Sequence, residues 1–325
     1  MKLNTTKVRL PSDTKKKWIE NVLPFAGLLF IFVFFLTTTK GSILSPSNIK
    51  NISDQVFKTL IVSVGAVFIY AHGGFDMSLG AISGVSQMIM ALIIMKAGSS
   101  FHPLVIFLIG VGICVLLCVI NAVLHVSLRV PIFVATMCMN FACTGLLVSV
   151  VQTRDVAIPY SILAAYNSSI VRVAVLIVVV IIYWFLFEKT RIGKSLKAIG
   201  GSRIVAAQSG INVGKSIITA FALVGICVGI VSFLSLSRAN KVLGSTGGSI
   251  QMDAMIAIVL GGMPLAGGAS SKLRAAVIGA LTITLLTNGM TIMGIDYSYV
   301  YVTKGILFVI IVAISYRALP NKFYN

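Results

Sequence analysis

Charge is what this sequence has least of. Only 10% of its 325 residues are Asp, Glu, Lys or Arg, and eight of them are acidic, whereas a soluble domain carries about 25%. So few charges cannot cover a water-facing surface. Histidine is limited to His72, His102 and His125, on separate segments with no visible partners, which argues against a membrane enzyme built on converging acid–base groups. Cys114, Cys118, Cys138, Cys143 and Cys227 all fall inside apolar segments. Their spacing matches no metal motif and none sits in a loop suited to a disulfide, so they read as small buried packing residues. Alternating strands of about ten residues, the mark of a membrane β-barrel, are also missing.

Apolar residues are abundant: 58% of the chain is hydrophobic and mean hydropathy is +1.02. Several runs reach the 18 or more residues that cross a bilayer core. The fold class is therefore all-α, a polytopic integral membrane protein. Ten spans are expected, at roughly 19–39, 56–72, 77–96, 103–125, 131–151, 170–187, 216–237, 252–268, 275–294 and 299–316. The basic N-terminus lacks a small-residue cleavage site after it, so 19–39 reads as a retained span, not a removed signal.

The 26 Lys and Arg give a net charge of +18. They lie in short loops between apolar runs instead of on one soluble face, which excludes nucleic acid as a partner and makes the charge a report of topology. With the N-terminus in the cytoplasm, 17 basic residues fall inside and eight outside, with Lys304 within the last span and placed to snorkel outward. Both termini are then cytoplasmic. The expected organisation is a cytoplasmic tail 1–18, one membrane domain 19–318 containing a cytoplasmic loop 188–215, and a cytoplasmic tail 319–325.

Two Gly-rich breaks interrupt the apolar pattern. In the first, His72-Gly73-Gly74 is followed by Asp76 and Ser78. A carboxylate at membrane depth is costly. This stretch therefore reads as a tight turn whose carboxylate caps the next helix with help from Ser78, or as a broken helix beside a translocation path; the two readings are compatible. In the second, Gly261 to Ala269 loosely echoes Gly73 to Ala81, a weak sign of an internal repeat.

The loop 188–215 is basic and ends in SGINVGKS (209–216). Gly-Lys-Ser closes a phosphate-binding P-loop, but Ser209 stands where the first Gly is required. The segment also follows a polar helix instead of a strand and runs into a membrane span. The chain is not expected to bind or hydrolyse ATP. A short helix is expected over Ser202–Ser209, with Ser202 as N-cap and Gly210 in the left-handed conformation after it. Ala206 and Ala207 would give a small-sided face for a docking partner, flanked by Gly200, Gly201 and Ile211.

These segments resemble the permease subunits of ribose-type ABC sugar importers. GGFDMSLGA is similar to that family's Gly-Gly-Ile-Asp-Leu-Ser-Val-Gly stretch. TRIGKSLKAIGGSRIVAAQSGINVGK resembles its cytoplasmic loop, and MDAMIAIVLGGMPLAGG its Leu-Asp-Ala-Ile-Ala-Ala-Val-Val-Leu-Gly-Gly-Thr-Ser-Leu-Ala-Gly-Gly stretch. The agreement runs over roughly 20–318. Met263-Pro264 in place of Thr-Ser, Ser202 in place of Asn, and the stretch VPIFVATMCMN depart from the pattern.

The resemblance implies a bacterial inner-membrane permease without catalytic residues. Its partners would be cytoplasmic ATP-binding subunits carrying ATP and magnesium, an extracytoplasmic solute-binding protein, and a second permease copy or paralogue. Gly200, Gly201, Ser202, Ala206, Ala207, Gly210 and Ile211 would couple to the ATPase. Gly73, Gly74, Asp76, Ser78, Ser83, Gln87, Asn121, Thr136, Asn140 and Asn288 are candidates for the pathway, alongside Ser63 and Ser86. An ion-coupled secondary transporter is the alternative, although such a carrier has no need of a helix-bearing loop.

Overall fold

The computed structural model describes residues 13–98 and 101–317. Most of both expected tails, 1–12 and 318–325, lies outside the described residues. The chain is helical almost throughout. A first group comprises α1 (Asp13–Thr38), α2 (Pro46–Ala71), α3 (Leu79–Ala97), α4 (Pro103–Leu128), α5 (Ile132–Thr153) and the short α6 (Tyr160–Leu163). Then come α7 (Ser169–Lys189), α8 (Arg191–Gly201), α9 (Arg203–Gln208), α10 (Val213–Ala239), α11 (Ile250–Leu260), α12 (Arg274–Ile292) and α13 (Tyr297–Arg317). Two residues each of β1 (Val156–Ala157) and β2 (Lys241–Val242) pair antiparallel, tying the α5–α6 connection to the end of α10.

Local chemistry sets the helix ends. Pro46 and Pro103 occupy first turns, where a missing N–H costs nothing. His102, Ser168, Thr190, Ser202 and Asn212 accept backbone N–H groups as N-caps. Four helices end in the same glycine device. After α2, α9, α11 and α12, a left-handed glycine (Gly73, Gly210, Gly262, Gly294) donates two residues beyond the last full turn, and the following residue bonds one carbonyl earlier. The expected echo between the two breaks is displaced by one position: Gly73 plays the part of Gly262, not of Gly261.

Among the described residues seven helices are long and apolar enough to cross a membrane: α2, α3, α4, α5, α7, α10 and α12. Shorter apolar stretches at Pro24–Thr38, Ile250–Leu260 and Ser298–Ile310 coincide with the other three expected spans. The core is formed by α2, α3, α10 and α12, whose apolar windows are 61–78% buried, against 22% for α4, α5 and α7. Small residues let the backbones close up, as membrane interfaces require. A Cβ on Gly229 would stand 2.5 Å from Val111 Cα, and one on Gly65 would meet Cys227 Cβ at 2.9 Å.

Three expectations are corrected. Cys138 is exposed on α5, while the other four cysteines are buried. Lys304 does not snorkel; it is buried and its Nζ lies 2.6 Å from Asp253 Oδ1, because a charge inside a packed bundle is satisfied by a partner where water is out of reach. His102 and His125 also have partners: His102 Nδ1 accepts from Leu104 N–H, and His125 Nδ1 lies 2.6 Å from Val130 O.

Candidate functional site

The two Gly-rich breaks and the 188–215 segment, far apart in sequence, meet at one end of the bundle. The amphipathic helix α8 starts the site, burying Gly193, Leu196 and Ile199 at the one-face spacing of a helix. Its C-terminal Gly200 is pressed against the end of α2: a Cβ there would collide with Ala71 O and stand 2.5 Å from Gly268 N. Gly268, at φ +92°, donates its N–H to Ala71 O at 2.9 Å. Gly73 closes the third side, with Ala266 O only 3.1 Å from where its Cβ would be. Backbone touches backbone at all three corners, which only glycine permits.

Glu188 fastens α8 from the other side. Its Oε2 pairs with Lys197 Nζ at 2.6 Å, and its Oε1 accepts from Leu273 N–H at 3.2 Å. Lys197 Nζ also lies 4.4 Å over the Phe187 ring. One carboxylate therefore joins the end of α7, the body of α8 and the start of α12. Glu188 and Lys197 were absent from the candidates drawn from sequence. Two lone charges nine residues apart in a basic loop carry little signal, although the apolar spacing of Ile192, Leu196 and Ile199 does mark the helix they stabilise.

Beyond α8 the short helix α9 is capped as expected: Ser202 Oγ accepts from Val205 N–H, and Gly210 stands at φ +80°. The expected docking face is corrected in part. Ala206 is 3% exposed and faces the bundle, whereas Ala207, Ile204 at 73% and Val205 at 59% face outward. Of the six residues of α9 only Ala206 packs on the bundle, and its neighbours on either side stay exposed. Gly201 and Gly210 are open, with nothing within 4 Å of a Cβ, and Ile211 is half-buried.

The pathway candidates form two groups, with Ser63, Asn140 and Asn288 outside both. The first break forms one polar knot. Asp76 Oδ1 accepts from Ser78 N–H at 2.7 Å and from Ser78 Oγ at 2.6 Å, and Ser78 Oγ accepts from Asn121 Nδ2 at 2.9 Å. Thr136 Oγ1 accepts from Met77 N–H at 3.2 Å. Asp76 thus holds the N-cap residue Ser78 instead of capping α3 directly, and Gly74 packs beside Ile132.

A second group is buried between α3, α4 and α10. Ser83 Oγ lies 2.8 Å from Ser232 Oγ and accepts from Gln87 Nε2 at 3.2 Å, while Ser86 donates to Gly110 O. Ser63 bonds its own helix at Thr59 O. Asn288 stands apart from both groups, exchanging reciprocal amide bonds of 2.9 and 3.0 Å with Asn48. Asn140 is half-buried on α5.

A further charged cluster, not anticipated from sequence, lies at the opposite end of the bundle from α8. Asp54 is 4% exposed and pairs with Arg172 Nε at 2.9 Å and with Arg238, joining α2, α7 and α10.

This is a multi-pass α-helical membrane protein in which the α8–α9 connection is clamped to both Gly-rich breaks. The chain belongs to the family described as "Branched-chain amino acid transport system / permease component", which matches residues 48–312. It is 29% identical to the ribose import permease RbsC of Bacillus subtilis, over 94% of this chain and 97% of that one. It is 26% identical to the D-allose transport system permease AlsC of Escherichia coli, covering 96% and 98%. Identity to the fructose import permease FrcC of Rhizobium meliloti is also 26%, covering 90% and 84%. No solved structure gives a significant match.

Proposed function

We propose that this chain is the membrane-spanning subunit of an ATP-driven importer that moves a sugar or sugar-like solute across the bacterial inner membrane. The observation that carries the proposal is the meeting of α8 and α9 with both Gly-rich breaks, because a force applied to that loop reaches two interrupted membrane segments directly. SGINVGKS lacks the first Gly of a phosphate-binding loop. ATP and magnesium would reside on a cytoplasmic partner, whose groove would receive Ile204, Val205, Ala207 and the turn at Gly210, with Gly200, Gly201, Ser202, Ala206 and Ile211 shaping the element from behind. A sugar is favoured over an amino acid because the curated relatives compared above are named for ribose, allose and fructose.

We assign ten spans, the three shorter apolar helices included, with both termini and the 188–215 segment cytoplasmic. The membrane domain would run over 19–318, with tails 1–18 and 319–325. Basic-residue placement supports this orientation; the alternation of helix ends, which puts Glu188 beside Leu273 and Asp54 beside Arg238, supports the order of the spans.

The interior is packed, so the pathway is expected between two permease chains, this one and a copy or paralogue, with an extracytoplasmic binding protein delivering the solute. The outer face of α5 supports that arrangement. Outward positions on α4 and α7 are mostly aliphatic or aromatic, such as Leu108, Leu116, Ile120, Ile177 and Ile181, as lipid demands. On α5 Cys138, Thr144, Gly145, Ser149 and Gln152 are exposed among Phe133, Val134, Phe141 and Leu146, with Asn140 half-buried beside them. Small polar groups on an outward membrane face suit a partner or a hydrated path better than acyl chains. Gly73, Gly74, Asp76, Ser78, Asn121 and Thr136 would form its inner gate. Ser83 and Gln87 would be the polar layer behind it, and Asn288 a fixed support.

The test is uptake of labelled sugars into proteoliposomes holding this chain, its ATPase and a binding protein. ATP-dependent, binding-protein-dependent uptake is expected. Uptake that ignores ATP and follows an imposed proton or sodium gradient would replace this reading with that of an ion-coupled carrier.

A further inference from the structure

Beside α9, a cavity of about 230 Å³ is lined by His125, Val126 and Arg129 of α4 and its end, by Arg203, and by Val213, Gly214 and Ile217 of α10. Its charge is unbalanced. Among the described residues neither Arg129 nor Arg203 is paired with a carboxylate, and no acidic residue lines the cavity. His125 positions one of the two arginines. Its Nδ1 lies 2.6 Å from Val130 O, which makes that nitrogen the donor and leaves Nε2 to accept from Arg203 Nη1 at 3.5 Å. The first-turn N–H groups of Val213 and Gly214 belong to a 27-residue helix whose N-terminus opens on the same space.

We propose that this cavity binds a phosphate group. Two guanidinium groups and a helix N-terminus match the roughly −1.5 to −2 charge of a phosphate monoester at neutral pH, whereas a single carboxylate would leave one arginine unanswered. A soluble phosphate ester and a lipid headgroup present the same phosphate chemistry to the two arginines. Because Arg203 is the first residue of α9, an occupied cavity would fix the base of that helix and make transport sensitive to the phosphate group that fills it.

The test uses the full chain in phosphatidylcholine nanodiscs without any ATPase, so its outcome is independent of the importer reading. Inorganic phosphate and ribose 5-phosphate are titrated by calorimetry. Saturable binding is expected, weakened at least tenfold in Arg129→Asn/Arg203→Gln and unchanged in Lys194→Gln on the exposed face of α8. Asn is chosen because Arg129 sits at φ +55°, a conformation Asn tolerates. Phosphate should also shield Arg129 and Arg203 of the unaltered chain from phenylglyoxal, read by mass spectrometry, which needs no variant to fold. Loss of phosphate binding when phosphatidylglycerol replaces phosphatidylcholine would keep the phosphate site and assign its occupant to the lipid. Absence of saturable binding, or binding and shielding indifferent to the two arginines, would overturn the proposal.

Discussion

Gly200 and Gly201 are neighbours in sequence and opposites in surroundings, which allows a matched pair of substitutions. A Cβ on Gly201 meets nothing within 4 Å, and its φ is not positive. Gly201→Ala should therefore be neutral or stabilising by up to about 1 kcal/mol, the helix-propensity gain of Ala over Gly. Gly200→Ala receives the same gain, but its methyl must displace Ala71 O and Gly268 N. Overpacking of that kind costs about 1–3 kcal/mol. If the Gly268 N–H to Ala71 O bond of 2.9 Å opens, a buried amide is left unpaired for about 1–3 kcal/mol more. The two alanine variants should differ by about 1–3 kcal/mol if that bond holds and by about 2–6 kcal/mol if it opens.

In detergent this difference should lower the apparent melting point of Gly200→Ala below that of Gly201→Ala by about 2 °C or more. The functional consequence is more specific. The displaced contact is the one through which α8 touches both broken segments, so transport per ATP hydrolysed should fall in Gly200→Ala and stay unchanged in Gly201→Ala. The assay is parallel ATPase and uptake measurement in proteoliposomes. Equal melting points and equal coupling in the two variants would refute the claim that Gly200 is a backbone contact point, and with it the account of how the loop drives the membrane segments.

Gly210→Val places a β-branched residue at φ +80° in open space, so about 1–3 kcal/mol of backbone strain should uncouple ATPase from uptake while Gly210→Asn does not; both are read in the same proteoliposomes. Asp54→Asn should cost about 3–5 kcal/mol, because it strands the buried Arg172 without its counter-charge, and thermal unfolding in detergent measures it. Lys304→Met should destabilise by a similar amount through the abandoned Asp253, and the double variant with Asp253→Leu should recover most of the loss. A Cβ on Gly145, on the outer face of α5, meets nothing within 4 Å, which leaves room for Gly145→Trp to point outward. That substitution should leave the melting point of the isolated chain unchanged and abolish uptake by filling the space between two chains.

What sequence discloses here follows from the range of the interaction involved. Hydropathy is local, so the apolar runs were readable, and each of the seven long helices covers most of one, α2 beginning ten residues earlier than expected at Pro46. Caps are local too: Ser202 and Gly210 were identified as the ends of α9, and both hold those positions. Facing is partly local, and there the reading slipped. A six-residue helix has no periodicity to average over, and Ala206 turned inward because Ile204 and Val205 took the outer side. The long-range pairs left almost no trace. Asp54 finds Arg172 and Arg238 across two helix interfaces, and Lys304 finds Asp253 only because α13 packs on α11. A lone charge within an apolar run does signal that a partner must exist, but it does not say which. The glycines lie between these cases. Gly-rich breaks are conspicuous in the sequence, and they were read as turns. Their purpose appears only when Gly200 is seen against Ala71 and Gly268, and Gly73 against Ala266. Their missing side chains let three backbone segments share one contact, and a movement of α8 is passed to α2 and to the segment before α12 without a flexible side chain to absorb it.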